Sequence, residues 1–119
     1  MNIRSLSAGL SFRGTVTGKR QTYHVFEGRK AFFVFSFSRS KPKAGYFNMV
    51  HAEAVKYAQR LTRGRKGVTA QSLFKRSRNR RHVGSALEAL NILYVLVAID
   101  RAKMDHRHKG KQLFFNISD

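Results

Sequence analysis

Apolar and polar residues alternate through the first part of the chain and recur at helical spacing afterwards, with the changeover near Tyr46. Leu10, Phe12 and Val16 stand at even spacing before a turn at Gly18-Lys19; Tyr23 and Val25 continue the alternation, and Gly28 closes that run. Ala31-Phe32-Phe33-Val34-Phe35-Ser36-Phe37-Ser38 has the aromatic and β-branched make-up of a strand. Phe33, Phe35 and Phe37 fall on one face and Phe32 and Val34 on the other, which predicts a strand covered on both sides. The expected object is a three-stranded antiparallel meander. It ends in the loop Arg39-Ser40-Lys41-Pro42-Lys43-Ala44-Gly45, which holds the only proline.

From there the period is helical. Val50, Ala54, Tyr57, Ala58 and Leu61 form one buried stripe, with Asn48 as its cap and Gly64 as its stop. Thr69 caps a second, short helix whose inner face is Ala70, Leu73, Phe74 and Ser77. Ser85-Ala86-Leu87-Glu88 has the spacing of a capping box and opens a third helix that runs to about Ile99. Alternation then returns: Ala102 and Met104 meet Leu113, Phe115 and Ile117 across a turn at His108-Lys109-Gly110-Lys111. The expected fold class is α+β, with an antiparallel β-meander at 1–47 followed by three helices and a C-terminal β-hairpin at 48–119, packed as one unit. No internal repeat or low-complexity segment interrupts it.

The third helix carries an extra constraint. Past its first turn it is apolar all round, with Leu90, Leu93, Tyr94 and Val97 on one side and Ile92, Val95 and Ile99 on the other. A helix without a polar face is buried on both sides. Its second cover is either the N-terminal sheet or a partner subunit. The sheet is favoured, because its Phe-rich face needs a place, but a homodimer through this helix or the sheet stays open.

Charge changes the picture from fold to function. Twenty-four basic residues against six acids give a net +18 over 119 residues. Nine of them fall between Arg60 and Arg81, where there is no acid at all. Such a run repels itself unless something polyanionic neutralises it, and nucleic-acid backbones are the commonest partner. Both halves of the chain share the excess, unlike a neutral domain with a charged tail. The helices lack the bulky aromatic face of interfacial membrane helices. The longest apolar run, Ile92 to Ile99, is far below the roughly 20 residues of a membrane span. The absence of cysteine excludes disulfides, thiolate nucleophiles and Cys-based zinc sites and fits a reducing compartment. With no secretory signal after Met1, the expectation is an intracellular, cytoplasmic protein without membrane contact, nucleoid-associated in a bacterium or archaeon.

In order and length, residues 49–118 resemble a winged helix-turn-helix domain. The resemblance rests on Ser85-Ala86-Leu87-Glu88-Ala89-Leu90-Asn91-Ile92-Leu93, then Ala98-Ile99-Asp100-Arg101-Ala102, then Lys109-Gly110-Lys111-Gln112-Leu113-Phe114-Phe115. It implies a third helix in the major groove, starting at Ser85, and a wing on a flanking phosphate or minor groove. Here that helix offers few readers, since Ser85, Glu88 and Asn91 are its polar positions. Contact therefore shifts to its surroundings. Arg78, Arg80, Arg81 and His82 lie in the turn before it, and Lys75 and Arg76 close the second helix. Arg107, Lys109 and Lys111 crown the wing, and Arg63, Arg65 and Lys66 reach the opposite strand. Backbone-dominated binding of modest sequence preference is expected.

Catalysis has little to build on. Six scattered acids do not make a two-metal centre, and Glu27-Gly28-Arg29-Lys30 lacks a paired upstream aspartate. His106 and His108 share a face without further ligands, so they read as protonatable phosphate contacts at the wing. Gly64-Arg65-Lys66-Gly67 lacks the Walker spacing. No enzyme, metal or cofactor is expected. Lys30 to Phe37 is faintly similar to the base-stacking strand of RNA-recognition motifs, but the glycine and the intervening helix of that fold are missing, and a core strand is favoured. The sequence thus points to a duplex-DNA-binding transcriptional regulator, or to an accessory factor of replication or of a mobile element. The alternatives are an RNA-binding or ribosome-associated protein and a structural module of a nucleoprotein assembly.

Overall fold

Alternation in the N-terminal part yields four strands rather than three. The computed structural model describes residues 9–18, 21–37, 45–108 and 110–119; Lys19, most of the Arg39–Gly45 loop and Lys109 lie outside these. Strands β1 (Ser11–Thr17), β2 (Thr22–Glu27), β3 (Ala31–Phe37) and β4 (Gly45–His51) form an antiparallel sheet in chain order. The fourth strand corrects the expected helix start. Val50 fits the helical stripe, but it pairs with Phe32 across β3 and so joins the inner face of the sheet. Helix α1 (Ala52–Thr62) begins only after it. Its N-cap is His51, not Asn48, and it makes no side-chain cap bond. Instead the Ala52 N–H donates to the Lys30 carbonyl at 2.9 Å, tying the helix start to the β2–β3 turn. The expected division between residues 47 and 48 thus falls inside a strand.

The remaining elements follow their capping chemistry. Helix α1 buries Ala54, Val55, Ala58 and Thr62, and Gly64 just beyond it adopts the left-handed φ of +74° that terminates a helix. Helix α2 (Ala70–Arg76) opens on a reciprocal cap: Thr69 Oγ1 accepts from the Ser72 N–H at 3.0 Å, and Ser72 Oγ from the Thr69 N–H at 2.9 Å. In α3 (Ala86–Ala98), Ser85 Oγ accepts from the Glu88 N–H at 3.1 Å. The Glu88 carboxylate reaches past the cap residue to the Gly84 N–H at 2.7 Å, so the box is shifted by one residue. Asp100, at φ 64°, ends α3 with Arg101 N–H on the Leu96 carbonyl and Asp100 N–H on that of Val97, a Schellman arrangement. Strands β5 (Ala102–Asp105) and β6 (Phe114–Ile117) then pair antiparallel, Ala102 with Ile117 and Met104 with Phe115. Val68 bridges Phe115 from the other side through two 2.8 Å hydrogen bonds.

Helix α3 sits in the middle layer. It packs against all four strands of the sheet on one side and against α1, α2 and β5 on the other. Ile92, Leu93, Val95 and Leu96 are sealed from solvent, and Tyr94 stacks on Tyr23 of β2 with ring centroids 4.3 Å apart. Burial pushes the Tyr94 hydroxyl pKa far above its ordinary value, with Tyr23 adding to the shift. Both apolar sides of α3 are therefore covered within one chain. Strand β3 is covered on both sides, as expected. Phe32 and Val34 face the core; on the other face Phe35 is buried and Phe33 half-buried in a separate ring cluster with Phe26 and Phe47. Among the described residues, no helix is long and apolar enough to cross a membrane.

Two substitutions measure this arrangement. Val95→Asp puts an unpartnered carboxylate between the layers and should abolish cooperative folding, a loss above about 4 kcal/mol. Thr69→Ala removes one cap and should cost about 1 kcal/mol. Urea unfolding followed by circular dichroism reads both. A Val95→Asp variant with wild-type stability would place that side of α3 at the surface.

Candidate nucleic-acid interface

The segment from Ser77 to Gly84, between α2 and α3, is an organised unit held by its own polar side chains. Asn79 Oδ1 accepts from the backbone N–H groups of Arg81 and His82 at 3.0 and 3.2 Å. Buried Ser77 bonds through Oγ to both the N–H and the carbonyl of Asn79, each at 3.2 Å. Val83, sealed from solvent, anchors the far end. From α1, the Tyr57 hydroxyl accepts the Arg78 N–H at 3.1 Å and meets Ser77 Oγ at 3.4 Å. The Ser77 bond is the main reason the Tyr57 pKa lies below its ordinary value; burial opposes it, and the Arg78 and Asn79 backbone contacts assist. The Tyr57 and His82 rings lie 5.4 Å apart.

This frame gives Arg80 and Arg81 different tasks. Arg80 folds back on α2, its guanidinium 4.3 Å above the Phe74 ring and its Nη1 donating to the Phe74 carbonyl at 2.8 Å. It satisfies a helix C-terminal carbonyl and covers an aromatic side chain. Arg81 is exposed and, with His82 and Ser85, lines a cleft of about 390 Å³ between β4 and the start of α3. The Ser85 hydroxyl oxygen is already engaged as the cap of α3. Glu88 and Leu87 also border the cleft, so its floor is not a purely cationic surface.

A second group forms where the α1–α2 loop meets α2. Arg65, Lys66 and Arg76 surround a depression of about 150 Å³ with Ser72. Strand β6 holds the loop in place: Ile117 N–H donates to the Arg65 carbonyl at 2.8 Å, and Asn116 Oδ1 accepts from the Gly67 N–H at 3.0 Å. Arg63, at the C-cap of α1, is exposed, as are Lys75 and Arg78. Among the described residues, the ion pairs are Arg13–Glu27, Lys56–Glu53, Arg107–Asp105 and His108–Asp105, and none reaches the 60–81 run. No group of three His, Asp or Glu among these residues could hold a metal ion.

The hairpin tip is less cationic than its composition. Arg107 grips Asp105 with Nε and Nη2 at 2.9 and 2.7 Å, and its backbone N–H adds a third bond at 3.1 Å. The side-chain bond, followed by the backbone one, holds the Asp105 carboxyl well below the usual carboxylate range, and the same side-chain bond, with the charge of Asp105, raises the Arg107 pKa. His108 stacks on Phe114 at 3.9 Å. Arg107 is thus locally balanced, Lys111 is exposed, and Lys109 lies outside the described residues. Sequence reasoning missed the positioning residues Tyr57, Asn79 and Asn116. The Ser77-Arg78-Asn79 run was a legible turn signal, because both side-chain types bond nearby backbone.

The two arginines should separate experimentally. Arg80→Ala loses a hydrogen bond and a ring contact and should destabilise the fold by about 1–2 kcal/mol. Arg81→Ala should stay within about 0.5 kcal/mol of wild type, as surface changes do. Equal thermal shifts for the two would refute the division.

Acid should loosen the hairpin tip. The Asp105 pKa is depressed in the folded state, so its stabilisation is complete above about pH 4, the unfolded value. It is lost as pH falls through the lower folded value. Protection of the Arg107 amide against exchange, relative to its intrinsic rate at each pH, should fall below about pH 4 in wild type, and Asp105→Asn should show the low protection at neutral pH already. Unchanged protection in the variant would discard the anchor.

Set against protein-family models, curated proteins and solved structures, the chain has no match, so its interface is read from its own residues.

Proposed function

We propose that this chain is a nucleic-acid-binding protein of winged-helix organisation that grips duplex DNA chiefly by its phosphates, without catalysing a reaction. One observation carries the reading: the exposed cations from Arg63 to Arg81 have no carboxylate partner among the described residues, yet they ride on an ordered loop, helix and turn. Ordered cations without internal counter-charges suit a polyanionic backbone. The element order supports the winged-helix part. Helix α1, the single strand-like residue Val68, helices α2 and α3, and the β5–β6 hairpin follow one another, and Val68 pairs with the returning strand through Phe115.

The buried α3 limits base reading. Leu87 and Glu88 are the exposed positions of its first turn, and neither suits a cation-led contact with guanine. The phosphate contacts are assigned to Arg63, Arg65, Lys66, Lys75, Arg76, Arg78 and Lys111, with Arg81 nearest a base edge. Sequence preference is then weak, which favours an accessory or architectural role over that of a selective regulator. The same buried helix supports duplex RNA as a second reading, because RNA helices are recognised by backbone and shape.

Competition among duplex DNA, duplex RNA and single strands at fixed salt tests this. Duplex DNA should win, and log K should fall against log salt with a slope near 0.9 for each of about five to eight released counterions. Arg76→Ala should lower the slope by about one and weaken all sequences alike. A flat salt dependence, or no binding near about 50 mM salt, the weak-screening regime of counterion release, would reject the function.

A further inference from the structure

The cleft between β4 and the start of α3 holds polar groups that the fold does not use. Asn91 is 4% exposed, and its Nδ2 donates to the Leu87 carbonyl at 3.0 Å. Its Oδ1 accepts no hydrogen bond from the described residues and meets solvent at the cleft, which Asn91 lines. Asn48 and Arg81 border the same cleft, and their side chains also make no hydrogen bond or ion pair among the described residues. The adjoining turn behaves oppositely, since Tyr57, Ser77 and Asn79 satisfy one another and the nearby backbone. An amide nine-tenths buried with its acceptor unmet costs stability, so its presence calls for a partner from outside the chain. The other walls are apolar. Val50, Ala54 and Ile92 are buried at the inner end, and Leu87, 62% exposed, stands at the mouth.

We propose that this cleft takes one unpaired nucleotide of the bound nucleic acid, its base edge on Asn91 and its phosphate at Arg81. The proposal rests on the nucleic-acid reading and deepens it. An apolar cover would leave Asn91 and Arg81 unmet, and an inorganic anion would leave Asn91 and the apolar wall unmet. A base with its phosphate answers all three. The free Oδ1 and the second Nδ2 hydrogen of Asn91 present an acceptor beside a donor, the pair that a base edge complements bidentately. That edge is free only in an unpaired base, and such bases are read in pockets by this kind of contact. The cleft, at about 390 Å³, lies at the low end of the roughly 300–1,000 Å³ of ligand sites, so it has room for one nucleotide. Between Ser85, next to the Arg81 end, and Asn91 the helix rises about 9 Å, comparable to the span from a base edge to its phosphate. Glu88 fixes the direction. Its Oε2 accepts the Gly84 N–H at 2.7 Å, and its charge bars a phosphate from going deeper than Arg81. Arg78 and Arg81 share the cationic turn, so a strand held along it leads its next nucleotide to the cleft.

Fluorescence anisotropy at fixed salt compares forms of one short duplex: blunt, with a single overhanging adenine nucleotide (5′ and 3′ versions), and with an abasic residue in that overhang. An adenine overhang of one polarity should bind at least about fivefold tighter than both the blunt and the abasic forms, the least that a bidentate base contact contributes. Adenosine monophosphate at millimolar concentration should shift the side-chain amide resonance of Asn91, and inorganic phosphate should not. Asn91→Leu should leave the thermal midpoint no lower, because Oδ1 holds nothing within the fold, and should lose the advantage of the overhang. Leu87→Glu changes an exposed position, should fold, and should lose the same advantage. Equal affinity for the blunt, adenine and abasic forms would overturn the proposal and leave the duplex-binding reading standing. An abasic overhang as good as adenine would overturn it too, since only a phosphate would then be held. Should no duplex bind, the reading falls and the monophosphate titration alone decides on the cleft, with an unmoved Asn91 amide overturning it.

Discussion

An α-helix with no polar face has to be covered on both sides, and α3 imposes that condition on everything around it. Its N-terminal half of the cover is the four-stranded sheet; the other half is α1, α2 and the β5 strand. Neither half stands without the helix. The sheet would leave Val16, Val25, Phe32, Val34 and Val50 against water, and the helical part would lose the wall that Leu73, Val83 and Phe115 pack upon. The chain is therefore better regarded as one core with α3 at its centre than as a sheet attached to a separate DNA-binding unit. The same condition withdraws from solvent the helix that a winged-helix protein would offer to the major groove.

What the sequence made legible was whatever depended on local chemistry. The caps at Thr69 and Ser85, the stop at Gly64 and the pairing of Ala102 and Met104 with Ile117 and Phe115 follow from residue type and spacing alone. Strand β4 did not, because its apolar positions are too few to separate period two from period 3.6. Val50 satisfies either pattern, and only the open edge of β3, a non-local fact, decides between them.

The candidate interface divides along similar lines. Composition located the cations, yet their use depends on neighbours that spacing does not reveal. Arg80 closes α2 over Phe74, and Arg107 is held by Asp105, so two of the most prominent positive charges are committed within the fold. Arg65, Lys66 and Arg76 converge because β6 holds their loop through backbone and Asn116 contacts from far along the chain. A charge run marks a region, and tertiary contacts determine which of its members remain available.

The central position of α3 also bears on how the chain is made. The sheet leaves the ribosome first, but its inner cover lies about fifty residues downstream of β3. At about 5–20 residues per second, several seconds pass before that helix is synthesised. During this interval the nascent sheet has two apolar faces and two open edges, a state prone to sticking to its neighbours. The excess of cations in the same N-terminal segment gives the nascent chain a means of staying apart from its siblings until α3 arrives.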